Sequence, residues 1–435
     1  MTIHAKSETV FHILYLAFMA SIIFSLRAVS SLTIGVIIVA AVLTNPKGFL
    51  SVLKKSYLNY FLLCCILLFL LQFIAMFYTS DVESGWSNIR IKSGLVIIPL
   101  AVCLSSFLQT KSLKKLLSQF CLLLLLASLY CILVSFINYR HSGDSSFFFY
   151  HALVSPLKQH AVYFSILVTI AIIFLTEIIY EKEIVYSKWF HISLIIYFSI
   201  FLFLLSSRLI ISLYIFYLLL FFIRLLKKKK INKVIIATFI AAVVFSVISI
   251  FTVRNPISQR FYDIVNGNLN IIRQDSFKKS DYFNGLQFRL LQWRFVAEIL
   301  SEQDRWWLGV SPGDAQHLLN EKYLSKNMYA GERHRGDRGY LIYNTHNQFL
   351  QTLLQTGIIG LIILLFLCFF LVKTAWQRKN KMLINVVLIL LIWLFTEAAF
   401  ETQYGIAIFI FFPLLLAMGN DSDKKEANLL NNNYD

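Results

Sequence analysis

The sequence predicts an all-α polytopic membrane protein, and three observations support this: the composition, the pattern of apolar windows and the charge of the loops. Hydrophobic residues make up 58% of the 435-residue chain and charged residues only 14%, whereas a soluble domain carries roughly 25% charge. Phenylalanine alone occurs 40 times. A chain of this length and composition holds about a dozen membrane spans of roughly 20 residues together with one large loop.

Apolar windows recur along the chain, and most are long enough to cross a bilayer as helices. Their length excludes the shorter strands of a membrane barrel. The first window lacks a strong basic region and a clear cleavage site, so we interpret it as an uncleaved first span. The windows predict about twelve transmembrane helices, at residues 10–26, 29–44, 59–78, 92–108, 115–138, 161–180, 188–206, 209–226, 231–251, 348–372, 382–399 and 404–418.

Basic residues are concentrated in the loops that follow spans two, four, eight and ten, all on one side of the membrane. Because loops rich in Lys and Arg stay in the cytoplasm, we expect both termini to lie inside. The formal net charge of +17 therefore reflects orientation in a bilayer and does not indicate a nucleic-acid partner. The residues concerned are Lys47, Lys54, Lys55, Lys111, Lys114, Lys115, Arg224, Lys227, Lys228, Lys229, Lys230, Lys233, Lys373, Arg378, Lys379 and Lys381.

This pattern divides the chain into four predicted parts. Residues 1–251 hold spans one to nine, 252–345 form a loop domain on the outer side, 346–420 hold spans ten to twelve, and 421–435 are a cytoplasmic tail. The loop mixes both signs of charge with aromatic residues, so we expect it to fold. No internal repeat is evident in the sequence, which argues against an inverted-repeat transporter.

Two helices are predicted within the loop. One covers residues 285–300, where apolar side chains recur at helical spacing. A second helix is expected to begin after Asp314, whose side chain is predicted to cap it. The apolar positions of the first helix are Leu286, Leu290, Trp293 and Ile299.

His346 opens the tenth span and is the candidate general base. An ordinary histidine titrates near neutrality, so it can accept a proton from a hydroxyl and release it again. The amides of Asn344, Asn347 and Gln348 are predicted to orient the imidazole or bind a sugar. The alternative is an interfacial histidine with no chemical role.

Arg208 and Arg289 are the candidate phosphate-binding residues. A guanidinium is always charged and meets phosphate oxygens in a fork. Arg208 lies at the outer end of spans seven and eight, and its alternative role is an ion pair with Glu397 or Glu401. The alternative for Arg289 is an ordinary solvated charge on a loop helix.

Further polar residues lie near the predicted outer face. His160 and Tyr163 open span six, and Glu397 lies at the outer end of span eleven. Asp81 and Glu83 offer two carboxylates, which without further ligands favour a solvated loop over a divalent cation site. The sequence contains no His/Cys cluster and no glycine-rich phosphate loop, so neither a metal nor a cofactor is predicted.

Three groups of motifs occur in order on the predicted outer side. They are Ser207-Arg208, Arg289-x-x-x-Trp293 followed by Trp307-Leu308-Gly309-Val310-Ser311-Pro312-Gly313, and His346-Asn347-x-x-Leu350 followed by Gly357-x-x-Gly360. With about twelve spans and one large loop after the ninth, they resemble the O-antigen ligase and O-antigen polymerase superfamily of bacterial envelope enzymes. The resemblance covers most of the chain at the level of plan.

The resemblance implies a membrane-embedded, GT-C-like glycosyltransferase of the bacterial inner membrane with its active site facing the periplasm. The donor would be a glycan on undecaprenyl pyrophosphate and the acceptor lipid A-core, with membrane lipid around both and no metal. Arg289, Arg208 and His346 would be catalytic. The substrate-binding residues would be Asn344, Asn347, Gln348, His160, Tyr163 and Glu397, the last as the partner of an active-site arginine. Gly357 and Gly360 are interpreted as sites of close helix packing.

Other functions remain open from sequence alone. A repeat-unit polymerase shares these features and differs in its acceptor, and His160-Ala161-Val162-Tyr163 favours the ligase. A transporter of lipid-linked glycans would place polar residues through the bilayer midplane, whereas here they gather at one face. A non-catalytic envelope scaffold would tolerate loss of His346, Arg289 and Arg208.

Overall fold

The computed structural model describes residues 3–44, 56–105, 110–227, 268–332, 334 and 337–431, and these contain helices and no strand. We number the α-helices in chain order. They are α1 (Ile3–Ile23), α2 (Arg27–Thr44), α3 (Ser56–Ile74), α4 (Val82–Lys92), α5 (Gly94–Leu104), α6 (Thr110–Ser142), α7 (Tyr150–Val154), α8 (Ala161–Glu181), α9 (Lys188–Leu204), α10 (Arg208–Leu226), α11 (Gly285–Glu302), α12 (Ala315–Ser325), α13 (Gln348–Arg378), α14 (Lys381–Leu394) and α15 (Gln403–Asn431).

Seven helices in the described part of the chain are long and apolar enough to cross a membrane, which confirms an all-α membrane protein. Their bounds are Arg27–Thr44, Asn59–Tyr78, Val82–Leu104, Ser112–Ser142, Ala161–Glu181, Arg208–Leu226 and Gln348–Arg378. Shorter apolar helices at Glu8–Ile23, Lys188–Leu204, Lys381–Leu394 and Gln403–Gly419 coincide with other predicted spans. The predicted ninth span, 231–251, lies outside the described residues, so the count of twelve and the sidedness of the loop stay predictions.

The chain divides into two compact units. The first consists of Met1–Phe18, Arg27–Leu113 and Gly267–Asp435, and the second of Met19–Leu26 and Lys114–Asn266. The first unit therefore combines helices α2 to α5 with the loop helices α11 and α12 and the C-terminal helices α13 to α15. The second holds most of α6 and all of α7 to α10.

In the first unit, α13 packs along α3 and against α14, while α5 packs against α2 and α15. The loop residues and Leu354 of α13 form an apolar core where α11 meets α12, around Phe288, Phe295 and Tyr323. Burial of these large side chains holds the loop helices together, because apolar area removed from water stabilises at about 25 cal/mol per Å².

Helix α11 is present where the sequence predicts it, but it buries a different face. Asn284 begins it through a capping box with Gln287. The buried positions are Gln287, Phe288, Leu291, Gln292, Phe295, Val296, Ile299 and Leu300. Of the four apolar positions whose spacing predicted the helix, only Ile299 is buried, and Trp293 is 40% exposed. The rings of Phe288 and Phe295, two positions after Leu286 and Trp293, lie on the core side instead.

Helix α13 is broken at Gly357, which has φ 66° and ψ −165°. Only glycine adopts this conformation readily. The loop 306–311 fills the break: Val310 N–H donates to Leu354 O at 2.8 Å, and Ile358 N–H donates to Trp306 O at 2.8 Å. These bonds satisfy backbone groups that the broken helix leaves free. Gly357 thus accommodates a loop backbone and not a neighbouring helix, contrary to the packing interpretation from the sequence.

The second unit is organised around α8, which packs against α7, α9 and α10 and is buried from Ala161 to Ile178. An ion pair joins α8 to α10. The Arg224 Nη1 lies 2.7 Å from each carboxylate oxygen of Glu177, and its guanidinium lies 3.9 Å from the centroid of the Tyr180 ring.

Candidate active site

Glu397 contacts both His346 and Arg289. One oxygen of its carboxylate, Oε2, lies 3.6 Å from His346 Nδ1, and the other, Oε1, lies 4.0 Å from Arg289 Nη2. The three side chains are partly buried, with exposures of 10% for Glu397, 23% for His346 and 29% for Arg289. An acid, a base and a permanent cation therefore share one small site in the first unit.

Arg289 reaches this site from the first turns of α11. Its Nη2 donates to Thr396 O at 3.2 Å and its Nη1 to Gly285 O at 3.4 Å. Nε is buried and has no hydrogen-bond partner among the described residues. The guanidinium thus spans from the loop helix to the residue next to Glu397.

His346 lies where the loop turns into α13. Its φ of 45° is in the left-handed region, which a histidine adopts more often than most residues. The Asn344 carboxamide oxygen accepts from His346 N–H at 3.0 Å and holds this turn. The imidazole centroid lies 5.5 Å from the Tyr343 ring and 6.5 Å from the Phe288 ring, so two aromatic side chains limit its rotation.

The amides of Asn347 and Gln348 bind the segment that carries Glu397. We call residues 395–402 the Glu397 turn. Asn347 Oδ1 caps α13 by accepting from Phe349 N–H and Leu350 N–H, and its Nδ2 donates to Phe395 O at 3.2 Å. Gln348 Oε1 accepts from Phe400 N–H at 2.6 Å. These contacts fix the start of α13 to the Glu397 turn, and a role of either amide in substrate binding stays a prediction.

The segment before His346 is held by buried polar groups of the loop core. Gln292 Nε2 donates to the Asn344 carbonyl oxygen and, at 3.1 Å, to the Tyr323 hydroxyl. Tyr323 in turn donates to Tyr343 O at 3.2 Å. Burial raises the pKa of Tyr323 well above its ordinary value, so the phenol stays protonated and keeps its role as donor.

Arg208, His160 and Tyr163 belong to the second unit. Arg208 is the first residue of α10, after the buried Ser207. His160 precedes α8, and its ring lies 4.4 Å from that of His151 and 5.2 Å from that of Tyr163, centroid to centroid. A contribution of these three residues to the same site stays a prediction.

A second polar cluster, which the sequence reasoning missed, surrounds Lys92. This lysine is 2% exposed, and its Nζ lies 3.1 Å from Glu401 Oε1. It also donates to Gln72 Oε1 at 3.2 Å and to Gln355 Oε1. Glu401 Oε2 accepts from Gln355 Nε2 at 3.1 Å. The sequence signal was weak, because a lysine at the start of an apolar window is usually an interfacial charge.

Asp81 and Asp314 have structural roles. Asp81 caps α4, and the backbone N–H of Ser84 holds the pKa of Asp81 below its usual value. Asp314 stands before α12 but makes no capping bond to it. Its carboxylate instead accepts from the backbone N–H groups of Ser80 and Asp81, at 2.9 Å each, and thereby ties the 306–314 segment to the start of α4. The described residues contain no group of three His, Cys, Asp or Glu side chains that could hold a metal ion.

The fold and the contacts of Glu397 with Arg289 and His346 define a class of protein. It is a helical membrane protein with an arginine, a glutamate and a histidine at the junction of a folded loop and an apolar helix. Comparison with known proteins adds a family. The sequence model of the O-antigen ligase family matches residues 193–365, a range that includes Arg208, Arg289 and His346. This match supports the O-antigen ligase superfamily and confirms the resemblance. A search of curated proteins found no match.

Proposed function

We propose that this protein is an O-antigen ligase-like glycosyltransferase. It moves a glycan from undecaprenyl pyrophosphate to lipid A-core at the periplasmic face of the bacterial inner membrane. The observation that carries the proposal is the placement of Glu397 between His346 and Arg289. Family membership supports a function of the ligase or polymerase type, and this cluster supplies the groups that glycosyl transfer needs.

His346 acts as the general base. Because Nδ1 faces the Glu397 carboxylate, Nε2 is the nitrogen left for the acceptor hydroxyl. As the hydroxyl oxygen attacks the anomeric carbon of the donor glycan, its proton passes to Nε2. Glu397 stabilises the imidazolium that forms, as a carboxylate does beside a catalytic histidine in other enzymes.

Arg289 and Arg208 stabilise the leaving group. When the bond between the anomeric carbon and the phosphate oxygen breaks, the electron pair stays on the lipid pyrophosphate, and fixed guanidinium groups lower the energy of the charge that develops there. The Arg289 side chain is 29% exposed beside Glu397, so part of its guanidinium is open to a substrate. With the positive charge supplied by arginine, the reaction needs no metal. Holding two lipid-anchored substrates side by side supplies further acceleration.

The repeat-unit polymerase is the second candidate, because it uses the same groups with another lipid-linked glycan as acceptor. A gel of lipopolysaccharide from a deletion strain separates the two. Loss of a ligase leaves the polymerised glycan on its lipid carrier, whereas loss of a polymerase leaves single repeats. Unchanged long-chain bands would contradict both. Movement of lipid-linked glycan across vesicles by purified protein, without transfer, would assign a transporter instead.

A further inference from the structure

We infer that Lys92 is a positioning residue for the proposed transfer: its ion pair with Glu401 holds the Glu397 turn in the place where Glu397 meets His346 and Arg289. Lys92 lies at the end of α4 and Glu401 in the 3₁₀ turn Ala399–Glu401. The expected effect on transfer rests on the proposed function. That the ion pair holds the Glu397 turn in place rests on the geometry alone.

The surroundings of Lys92 explain why it pairs with Glu401. A charged lysine inside a bundle of apolar helices is costly and is retained only with polar partners. Lys92 is 2% exposed and Glu401 14%, so water screens their attraction little. Two glutamine side chains complete the cluster, from α3 and α13. Removal of one charge would leave the other buried and uncompensated.

The Glu397 turn is held from more than one helix. Glu397 and Glu401 lie in the same short segment between α14 and α15. Asn347 and Gln348 hold the turn from the start of α13, and Gln355 reaches it from two turns further along the same helix. Lys92 holds the turn from α4, in a direction different from that of the α13 contacts.

The contacts of Glu397 make its position matter for catalysis. Its distances of 3.6 Å to His346 and 4.0 Å to Arg289 already exceed those of a hydrogen bond, so a further displacement would separate the carboxylate from both. Misplacement of a catalytic group by about 1 Å costs about 100-fold in rate. The alternative is that the Lys92–Glu401 ion pair only stabilises the fold, as the pair of Arg224 with Glu177 does.

The first test is hydrogen–deuterium exchange of the purified full-length protein, followed by mass spectrometry. In Lys92→Met, we expect exchange in residues 395–402 to rise about tenfold, because the turn opens locally more often. Lys92→Arg keeps the charge and should retain the slow exchange. Arg224→Met breaks an ion pair that involves no residue of the turn and should leave exchange there unchanged. Unchanged exchange in Lys92→Met would overturn the inference, whatever the activity.

The second test is a double-mutant cycle on glycan transfer, with lipid-linked glycan and core lipopolysaccharide extracted from the native cells. If Lys92 acts through Glu397, Lys92→Met should lower the rate in the wild type and have little further effect beside Glu397→Gln. For Arg224→Met, the matched control, any loss of rate should be the same in the wild type and in Glu397→Gln. If Lys92→Met also lowered the rate by the same factor in both backgrounds, Lys92 would have only a structural role.

The two tests also separate this inference from the proposed function. If the wild-type protein transfers no glycan, the proposed function fails while exchange still decides whether Lys92 positions the turn. If Lys92→Met does not insert into the membrane, Glu401→Gln takes its place, since it removes the ion pair at constant volume. The same rise in exchange and the same lack of additivity with Glu397→Gln are then expected.

Discussion

The backbone of Trp307 lies directly against Gly357, so closely that a Cβ atom on Gly357 would overlap the Trp307 carbonyl group. This contact lets a loop enter the break in α13, about three turns from His346. It is reciprocal, because a Cβ on Gly309 would overlap the backbone of Gln355 and Thr356. The loop and the broken helix therefore depend on glycine at both positions.

Substitution of Gly357 by alanine should destabilise the protein. The new Cβ would strain a conformation that only glycine adopts readily, at a cost of about 1–3 kcal/mol, and would push the loop 306–311 away. We expect a lower thermal unfolding midpoint in detergent. Gly35→Ala in α2 is the matched control, since a Cβ there meets nothing within 4 Å. Equal midpoints for the two variants would contradict the account of the break.

Substitution of His346 should remove transfer without removing the protein from the membrane. Loss of a general base lowers the rate about 10²- to 10⁴-fold. His346→Asn is the sharper variant, because asparagine tolerates the left-handed conformation at this position. The measurement is transfer by purified protein at matched amounts. His317→Ala, on the exposed side of the loop with 67% exposure, should retain activity. Full activity of His346→Asn would refute the proposed base.

Arg289→Lys should lose most of the activity even though the charge is kept. Lysine cannot reach Thr396 O and Glu397 together while offering a further planar donor, and removal of one charge-stabilising group costs about 10²- to 10³-fold in kcat. Arg294→Lys is the control on the same helix, since Arg294 contacts Glu298 and Asp275 instead. Equal losses for the two variants would point to a fold defect in α11.

Transfer should survive a chelator. In the proposed mechanism, arginine supplies the positive charge that stabilises the leaving pyrophosphate. Neither EDTA nor added Mg²⁺ should therefore change the rate by more than about twofold. Purified protein assayed with and without EDTA provides the measurement. Loss of activity on chelation, restored by Mg²⁺, would return Asp81 and Glu83 to consideration as ligands.

The folded loop domain should become less stable in acid, because Glu298 becomes protonated. Burial acts to raise the pKa of Glu298, but hydrogen bonds from Lys322 and Arg294 outweigh it and leave the pKa below its ordinary value of 4.5. A carboxyl with a lowered folded-state pKa contributes its full stability above 4.5 and loses it as the pH falls through the folded pKa.

The protection of α11 and α12 amides, measured relative to their intrinsic exchange rates at each pH, should accordingly fall below pH 4.5 in the wild type. In Glu298→Gln the fall in protection should be smaller, because this contribution is already absent. Glu321→Gln, at an exposed glutamate that pairs only with His317 in the described structure, should follow the wild type. An identical pH response in Glu298→Gln and the wild type would exclude this origin of acid sensitivity.

The sequence by itself determined the membrane class and most helix positions, and it showed the resemblance to a family. Bilayer thickness demands long apolar segments, and hydrogen bonding inside lipid demands that they be helical, so local composition is enough to locate them. Helix α11 was likewise located from its spacing. The resemblance also pointed to His346, Arg289 and Gly357, because each lies in a short motif and the motifs follow one another in the family's order.

Only the tertiary structure decided which distant residues meet. Glu397 is separated from Arg289 and His346 by long stretches of chain, and no local pattern specifies their contact. In the sequence, Lys92 has the pattern of an interfacial charge. In the structure, the packing of α3, α4 and α13 buries it beside Glu401. The face of α11 and the role of Asp314 were also set by packing. Side-chain volume and the need to satisfy buried polar groups act between segments, and one-dimensional periodicity does not record them.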